Sequence, residues 1–425
     1  MAEAARQVIR SAPANGLRVL VERATDVPLF TALLCVEAGS RYDPAGCHGL
    51  SSATAGTLLE GTRARSASEL ALAAESLGTE LEVLASYETV TIAATGPAGC
   101  VGDVLRIMFE MAWAPRFGHL QTVLDRQRSE VAEELADPYQ VCQRAFFQTI
   151  YGHHPRAHSP AGSPDGIAGV REAGVRAFHE RHYSPERCTL AVVGDVVPEA
   201  VLELAGARPN GWRTGGRPAP RPISPRRPRA PRARFVKMDC RQVHLCVGHL
   251  GIARLDPRYE AAQILDAILG DSAGFGARLA LRLRETEGLA YVVESDTTET
   301  AGLDPGLFRA YTATSAENVG AALFGIRDEL RRIIDEPPSA DEVAAAVAHL
   351  VGRRLVDCET MEGRAARLLR AERYGLALDG EGSYASRLAS IGPADVHDAA
   401  RSIIDPGAMS VVVVGPVLPT VSLRG

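Results

Sequence analysis

The chain has 425 residues, 46% of them apolar and 23% charged, which is the make-up of an ordinary globular protein of about two to four domains. A net charge of -6 gives no electrostatic case for binding nucleic acid or an anionic membrane surface. The eight cysteines stand apart with no Cys-x-x-Cys pair, so neither a zinc knuckle nor a dense disulfide framework fits, and reduced, mostly buried thiols are expected.

Residues 1–14 carry arginines but lack the apolar core of a signal peptide, and no run nears about 18 apolar residues, so the expectation is a cytoplasmic protein. Lys237 is the only lysine, a bias that GC-rich bacterial coding explains without any special guanidinium chemistry. Residues 16–22 alternate as a half-buried strand, and residues 29–37 form a second, nearly continuous apolar strand. Residues 49–62 follow, with Leu50, Ala53, Leu58 and Leu59 spaced as one face of a helix that closes on Gly61. Ser66 and Glu69 make a capping box that opens a helix reaching Leu77, where Gly78 stops it. Residues 80–84 and 89–95 read as a strand pair, then 102–113 and 124–136 as helices, with Asp137-Pro138 opening another. A helix over 169–183 ends before Pro185, and Thr-Leu-Ala-Val-Val-Gly-Asp at 189–195 is a buried strand.

Residues 208–234 are Pro, Arg and Gly with hardly an aliphatic side chain, a solvated linker that cannot bury a core. Its arginines lack the interleaved aromatics of a nucleic-acid surface. Beyond it the pattern restarts: strands at 234–238 and 243–248, a helix at 258–269, a strand pair at 290–299 and 305–314, and a helix at 317–334. Ser339 opens a further helix with Asp341 and Glu342 in its first turn, and the valine strand at 410–416 repeats the one at 189–195. The chain is therefore an internal duplication: domains at 1–207 and 235–425 joined by the linker, with a unit too long for a solenoid. The fold class expected is α+β, each homologous domain an antiparallel sheet packed with helices.

Three stretches carry the chemistry. The segment 49–62 closes Leu-Leu-Glu-Gly-Thr, residues 128–137 include Val131-Ala-Glu-Glu-Leu135, and residues 277–291 run from a helix ending Leu283-Arg-Glu285 through Gly288-Leu-Ala to Tyr291. Together, and in this order, they resemble the pitrilysin, insulinase and mitochondrial processing peptidase family of zinc peptidases, with the likeness running from about Leu17 to Val414. In that family the first helix bears His-x-x-Glu-His, which supplies two zinc ligands and the general base. Aligned on Gly61-Thr62, the equivalent positions here are Ser52, Ala55 and Gly56. Alanine and glycine offer no donor atom and a neutral serine hydroxyl is a poor zinc ligand, so the resemblance is to a peptidase without its own metal site.

Glu134 matches the family's third ligand; without two histidines it reads as a vestige or as one charge on a solvated helix face. Arg284 and Tyr291 match a pair that, in the family, reaches toward substrate held at the zinc of the opposing domain. A guanidinium fork and a phenol suit a peptide carbonyl and its oxyanion; the plainer alternative is a helix-end charge and a core strand residue. The resemblance extends to the loop 270–276, whose Gly274-Phe-Gly276 lacks the Lys-Ser/Thr of a phosphate loop. Glu88 resembles a position behind the family's active site, or is simple strand structure. Among the eleven histidines, His179 with His182, and His153 and His154 with His158, are the only local groupings that could bear on metal, and His48 precedes the first helix with no Glu-His after it.

The resemblance implies dimers closing around a peptide chamber, and heterodimers in which one chain keeps the zinc motif while the other keeps only the Arg/Tyr pair. This chain has the second profile. The expectation is a non-catalytic subunit, not active alone and holding no cofactor, that gives Arg284 and Tyr291 to a homologous zinc-bearing partner. Its substrates would be short or unfolded peptides, leader peptides among them. The alternative is a peptide-binding or scaffold protein with no catalytic role.

Overall fold

The computed structural model describes residues 8–207, 221–226, 228, 230–270, 276–378 and 380–417. Eleven strands form two sheets among these residues. The first contains β1 (Val8–Ser11), β2 (Arg18–Arg23), β3 (Leu29–Val36), β4 (Glu80–Ala85), β5 (Val90–Pro97) and β6 (Cys188–Gly194) in the order β1-β2-β6-β3-β5-β4. The second contains β7 (Ala233–Lys237), β8 (Val243–Leu250), β9 (Ala290–Asp296), β10 (Leu307–Thr314) and β11 (Ser410–Gly415) in the order β7-β11-β8-β10-β9. Leaving out β1, the two orders are the same path, so the duplication read from the valine strands is a duplication of topology. Each sheet is antiparallel except for one parallel pair, β2 with β6 and β7 with β11. The class is α+β, as the sequence pattern implies.

The chain forms two compact units. The described residues of the first come from Met1–Ala132, His158–Pro220 and Leu355–Gly380; those of the second come from Glu133–Ala157, Arg221–Arg354 and Glu381–Gly425. These differ from contiguous halves at 1–207 and 235–425 by an exchange of one segment in each direction. Most of the linker, 208–220, lies outside the described residues.

In the first unit, helices α1 (Leu50–Thr57), α2 (Ala67–Ser76) and α3 (Val101–Trp113) bury their apolar faces on one side of the sheet with Val21, Phe30, Leu34 and Ile92. Local chemistry sets their ends. Ser66 accepts from Glu69 N while the Glu69 carboxylate accepts from Ser66 N, the reciprocal cap expected at α2. Gly78 after it has φ 65°, the left-handed turn that favours glycine.

The other side of this sheet is covered from far along the chain. After α4 (Leu120–Ala136), α5 (Pro138–Tyr151), α6 (Glu172–His182), α7 (Tyr259–Leu269), α8 (Val319–Asp335) and α9 (Ala340–Asp357), the helix α10 (Met361–Tyr374) places Ala365, Leu368 and Leu369 against Leu20, Leu33, Ala191 and Val193. In the second unit α5 does the same, packing Phe146, Ala145 and Ile150 on Leu250, Tyr311, Val412 and Val414. A sheet apolar on both faces needs a layer on each; each half of the chain supplies that second layer to the sheet of the other.

The charged groups of α10 follow its apolar face. Arg364 Nε donates to the Glu22 carboxylate at 3.0 Å, and Arg367 reaches the same group at 3.2 Å. Arg373 pairs with Glu37 and, at 3.1 Å, with Glu88, which also accepts from Tyr374 Oη at 2.8 Å. All three carboxylates are buried.

Burial also sets a pH dependence. His179 of α6 donates through Nε2 to Ala112 O of α3 at 2.8 Å, and burial first, then the charge of Arg63, lowers its pKa to about 4. His182 packs on Tyr42 and Phe178, and burial followed by the charges of Arg187 and Arg181 lowers it to about 3. Both are neutral in the fold and titrate near 6.5 when unfolded, so the unfolded chain binds more protons below that pH. Stability is therefore full above about pH 6.5 and falls on acidification, by roughly 3 kcal/mol for each histidine at pH 4. Urea midpoints at neutral pH and at pH 4.5 should differ less in His179→Gln than in the parent chain; an unchanged difference would contradict this.

Candidate functional site

Helix α1 begins where Gly49 turns left-handed at φ 105°. Asp43 from the preceding loop accepts from Gly49 N at 2.7 Å and Ser51 N at 2.8 Å, satisfying amides that the first turn leaves unpaired. Burial pushes its carboxyl up to about 7 in spite of those amides. Ser51 donates to Ala38 O, and Thr54 and Thr57 donate to carbonyls within the helix, so these three hydroxyls are spent on backbone. Ser52 is half-buried and Ala55 is 2% exposed. At Gly56 a Cβ would lie 2.6 Å from Val123 Cγ1 of α4. Helix α4 is held there by Gln127, which donates to Gly49 O at 2.9 Å and Ala161 O at 2.7 Å.

A zinc ion does not fit these residues. The three positions offer one hydroxyl and no imidazole, and the space a histidine would need at Gly56 belongs to a β-branched side chain that has little freedom to turn away. Gly56→His should accordingly cost about 1–3 kcal/mol through overpacking, recovered in part by adding Val123→Ala. Thermal midpoints of the two variants check this, and an unaltered Gly56→His midpoint would contradict it.

Glu134, matched to the third ligand, is ion-paired with Arg144 of α5 across the Asp137 turn. Glu88, read as either a position behind the site or plain strand structure, is an acceptor for the α10 residues Arg373 and Tyr374, with Arg41 Nη1 3.8 Å away.

The Arg/Tyr pair is brought together. Residues Leu281–Thr286 form a wide helical turn, anchored by the buried Leu283 and by Arg282, which binds Glu287 at 3.0 Å and Asp328 of α8. Such turns are frequent at functional sites. Gly288 at φ 61° then reverses the chain into β9. Along β9, Ala313 faces Val292 and Thr314 faces Ala290, which leaves Tyr291 as the extra residue of a β-bulge. A bulge re-aims a side chain; Tyr291 is 73% exposed at the edge of its sheet. The Arg284 guanidinium stands 4.9 Å from the Tyr291 ring centroid, a cation–π contact, and 3.3 Å from the Glu285 carboxylate. The reading of Tyr291 as a core residue is thereby corrected: the bulge turns it to solvent beside Arg284. Residues 271–275 of the preceding loop lie outside the described residues.

The histidine groupings do not converge. His154 accepts from Arg156 N at 3.2 Å through Nδ1 and meets Ile223 O at 3.0 Å through Nε2, so both ring nitrogens are engaged. His158 stacks on His48 with centroids 3.5 Å apart. His179 stacks on Tyr183 in the core. Among the described residues no three His, Cys, Asp or Glu side chains are grouped to hold a metal ion, and no helix is long and apolar enough to cross a membrane.

Two family models match the chain: Insulinase (Peptidase family M16) over residues 18–159, and the Peptidase M16 inactive domain over residues 172–350. An uncharacterized zinc protease of Streptomyces coelicolor is 28% identical over 421 residues, covering 96% of this chain and 90% of its own length. An uncharacterized zinc protease of Mycobacterium tuberculosis is 27% identical over 371 residues, 85% of this chain and 83% of the relative. In fold, the M16 inactive domain of Pseudomonas fluorescens superposes with a TM-score of 0.88 at 24% identity, covering 97% of this chain and 98% of that one. A protease of Helicobacter pylori superposes with a TM-score of 0.87 at 17% identity, covering 97% and 100%. The chain belongs to peptidase family M16. Its first half departs from the zinc-binding pattern at the three positions of α1 described above.

Proposed function

We propose that this chain is the non-catalytic subunit of a heterodimeric zinc metalloendopeptidase that processes short or unfolded peptides, leader peptides of precursors among them. One contrast carries the reading: α1 offers no side chain able to hold zinc and Val123 fills the room of one, while Arg284 stays paired with Tyr291, which is exposed on an edge strand. A chain retaining only its own core would have no use for an arginine stacked on a tyrosine that a bulge turns to solvent.

The relatives are named zinc proteases, and the metal that name implies is assigned to a homologous partner. The partner's His-x-x-Glu-His would hold zinc, whose chemistry is to lower the pKa of bound water and polarise the peptide carbonyl. Arg284 would donate to the carbonyl oxygen and hold it as negative charge develops, with the Tyr291 hydroxyl as a second donor. This chain would also wall half of the peptide chamber.

The experiment is to purify a zinc-motif homologue encoded beside this chain and assay its turnover of unfolded peptides with and without this chain added. Turnover that rises with the added chain and saturates at equimolar ratio is the expected result. No association and no change in turnover would overturn the reading in favour of a scaffold protein.

A further inference from the structure

The last turn of α5 and the start of β7 flank a cavity of 390 Å3 that opens to solvent. Its lining is Gln148 and Thr149 from the helix with Pro231, Arg232, Ala233 and Arg234 from the strand side, all in the second unit. β7 is one edge of the second sheet and β9, which carries Tyr291, is the other, so the cavity is separate from the Arg/Tyr pair.

Side chains alternate along an extended strand, so Arg232, Arg234 and Val236 share one face. Val236 packs against the apolar layer that holds Phe146 and Ile150, and the two arginines reach the end of the same helix. Arg232 Nη1 donates to Thr149 O at 3.1 Å; Arg234 Nη1 donates to Gln148 Oε1 at 2.9 Å and to Ala145 O at 3.4 Å. One nitrogen therefore anchors each guanidinium. The Nε and Nη2 edge of each has no partner among the described residues, and no carboxylate there pairs with either side chain. Both arginines are exposed. Arginines at a helix C-terminus commonly cap its last carbonyls. Here that duty takes one nitrogen apiece and answers about half a unit of negative charge, against two positive charges.

We propose that this cavity binds a small molecule carrying two oxyanion groups, a diphosphate or a dicarboxylate. One group seats on the Nε/Nη2 fork of Arg232 and the other on that of Arg234, each by two parallel charge-assisted bonds. Gln148, whose Oε1 is taken by Arg234, offers its amide N–H as a neutral donor beside them. The volume is at the small end for ligand cavities. No aromatic ring lines it, so a nucleobase would find no face to stack on, which favours a compact oxyanion over a nucleotide. The anchoring bonds hold both guanidiniums in place before the ligand arrives, which lowers the ordering cost of binding.

The test is calorimetric titration of the full chain with pyrophosphate, orthophosphate, succinate and acetate at constant ionic strength. At least one two-group anion should bind one to one, roughly ten-fold or more above its single-group counterpart, and should raise the thermal midpoint. Which of the two binds tells a phosphate ligand from a carboxylate one. Arg232→Gln and Arg234→Gln should each weaken binding by roughly ten-fold. Arg232→Lys and Arg234→Lys keep the charge and a donor for the helix end but lose the fork. They should lose most of the same affinity while the midpoint without anion stays near that of the parent chain. Arg226→Gln, outside the lining, should leave binding unchanged. Equal binding of one-group and two-group anions overturns the proposal, as does affinity that survives both lysine changes together. An equal loss in Arg226→Gln would show diffuse charge and no site. Tighter binding of a peptide with two glutamates two residues apart than of any small anion would replace the small molecule by an acidic protein, and so overturn it too. Binding here needs no zinc-bearing partner and none of these readouts is peptide turnover, so its failure would leave the subunit reading untouched.

Discussion

Arg373→Ala is expected to lower the stability of the chain by about 3–5 kcal/mol, the cost of taking a shared counter-charge away from two buried carboxylates. Arg373 is 9% exposed at its side chain and bridges Glu37 and Glu88, which are 4% and 8% exposed. Removing it takes a counter-charge from both, while Glu88 keeps Arg41 at 3.8 Å and the Tyr374 hydroxyl. The urea midpoint should fall accordingly, with the slope unchanged if the transition stays two-state. Arg373→Ala/Glu37→Ala should lose less than the sum of the two single changes, because the two side chains are direct partners. A loss below about 1 kcal/mol, as for an exposed pair, would mean the network adds little to the seating of α10.

The second large effect concerns activity. Arg284→Ala, assayed in complex with a zinc-bearing partner, should reduce kcat by about 10²–10³-fold with little change in KM, the signature of a donor that acts chiefly on the developing oxyanion. Tyr291→Phe keeps the ring under the guanidinium and removes only the hydroxyl, so it should act in the same direction and less strongly. The isolated chain should unfold at nearly the same temperature in both variants, because Tyr291 is exposed and Arg284 lies at a turn whose anchors are Leu283 and Arg282. Unaltered turnover with Arg284→Ala would remove the pair from the chemistry while leaving the fold untouched.

Local patterns were legible in the residues, and long-range ones were not. The Ser66 and Glu69 cap, the glycine stops, both valine strands and the repeated strand pairs all follow from side chains within a few positions of one another. The exchange of helices does not. Nothing near Glu22 announces that Arg364, 342 positions away, will bind it. Periodicity places no element between the helix opened by Ser339 and the strand at 410, so α10 has no counterpart among the expected elements. A signal was there: Thr360 caps that helix by accepting from Gly363 N, and Gly375 ends it in the left-handed region. The parallel pairing of β2 with β6 and of β7 with β11 was likewise hidden, since periodicity fixes which face is buried and not which neighbour is chosen.

At the site, the residues missing from α1 could be named from spacing alone, because Ser52, Ala55 and Gly56 lack the chemistry whatever their surroundings. That Val123 stands in the room of the missing imidazole depends on how α4 lies on α1. So does the duty of Gln127, whose two carbonyl partners come from distant turns. Arg284 and Tyr291 stood out through their order on either side of Gly288, but the bulge that exposes Tyr291 is a matter of pairing with β10 and has no mark in the sequence.

The measurement that bears most directly on the central claim is the zinc content and peptidase activity of the purified chain by itself. The account predicts far less than one zinc per chain after dialysis against a weak chelator, and no cleavage of unfolded peptides. One tightly bound zinc per chain, with cleavage that a strong chelator abolishes, would contradict it and require a metal site built from residues other than Ser52, Ala55 and Gly56.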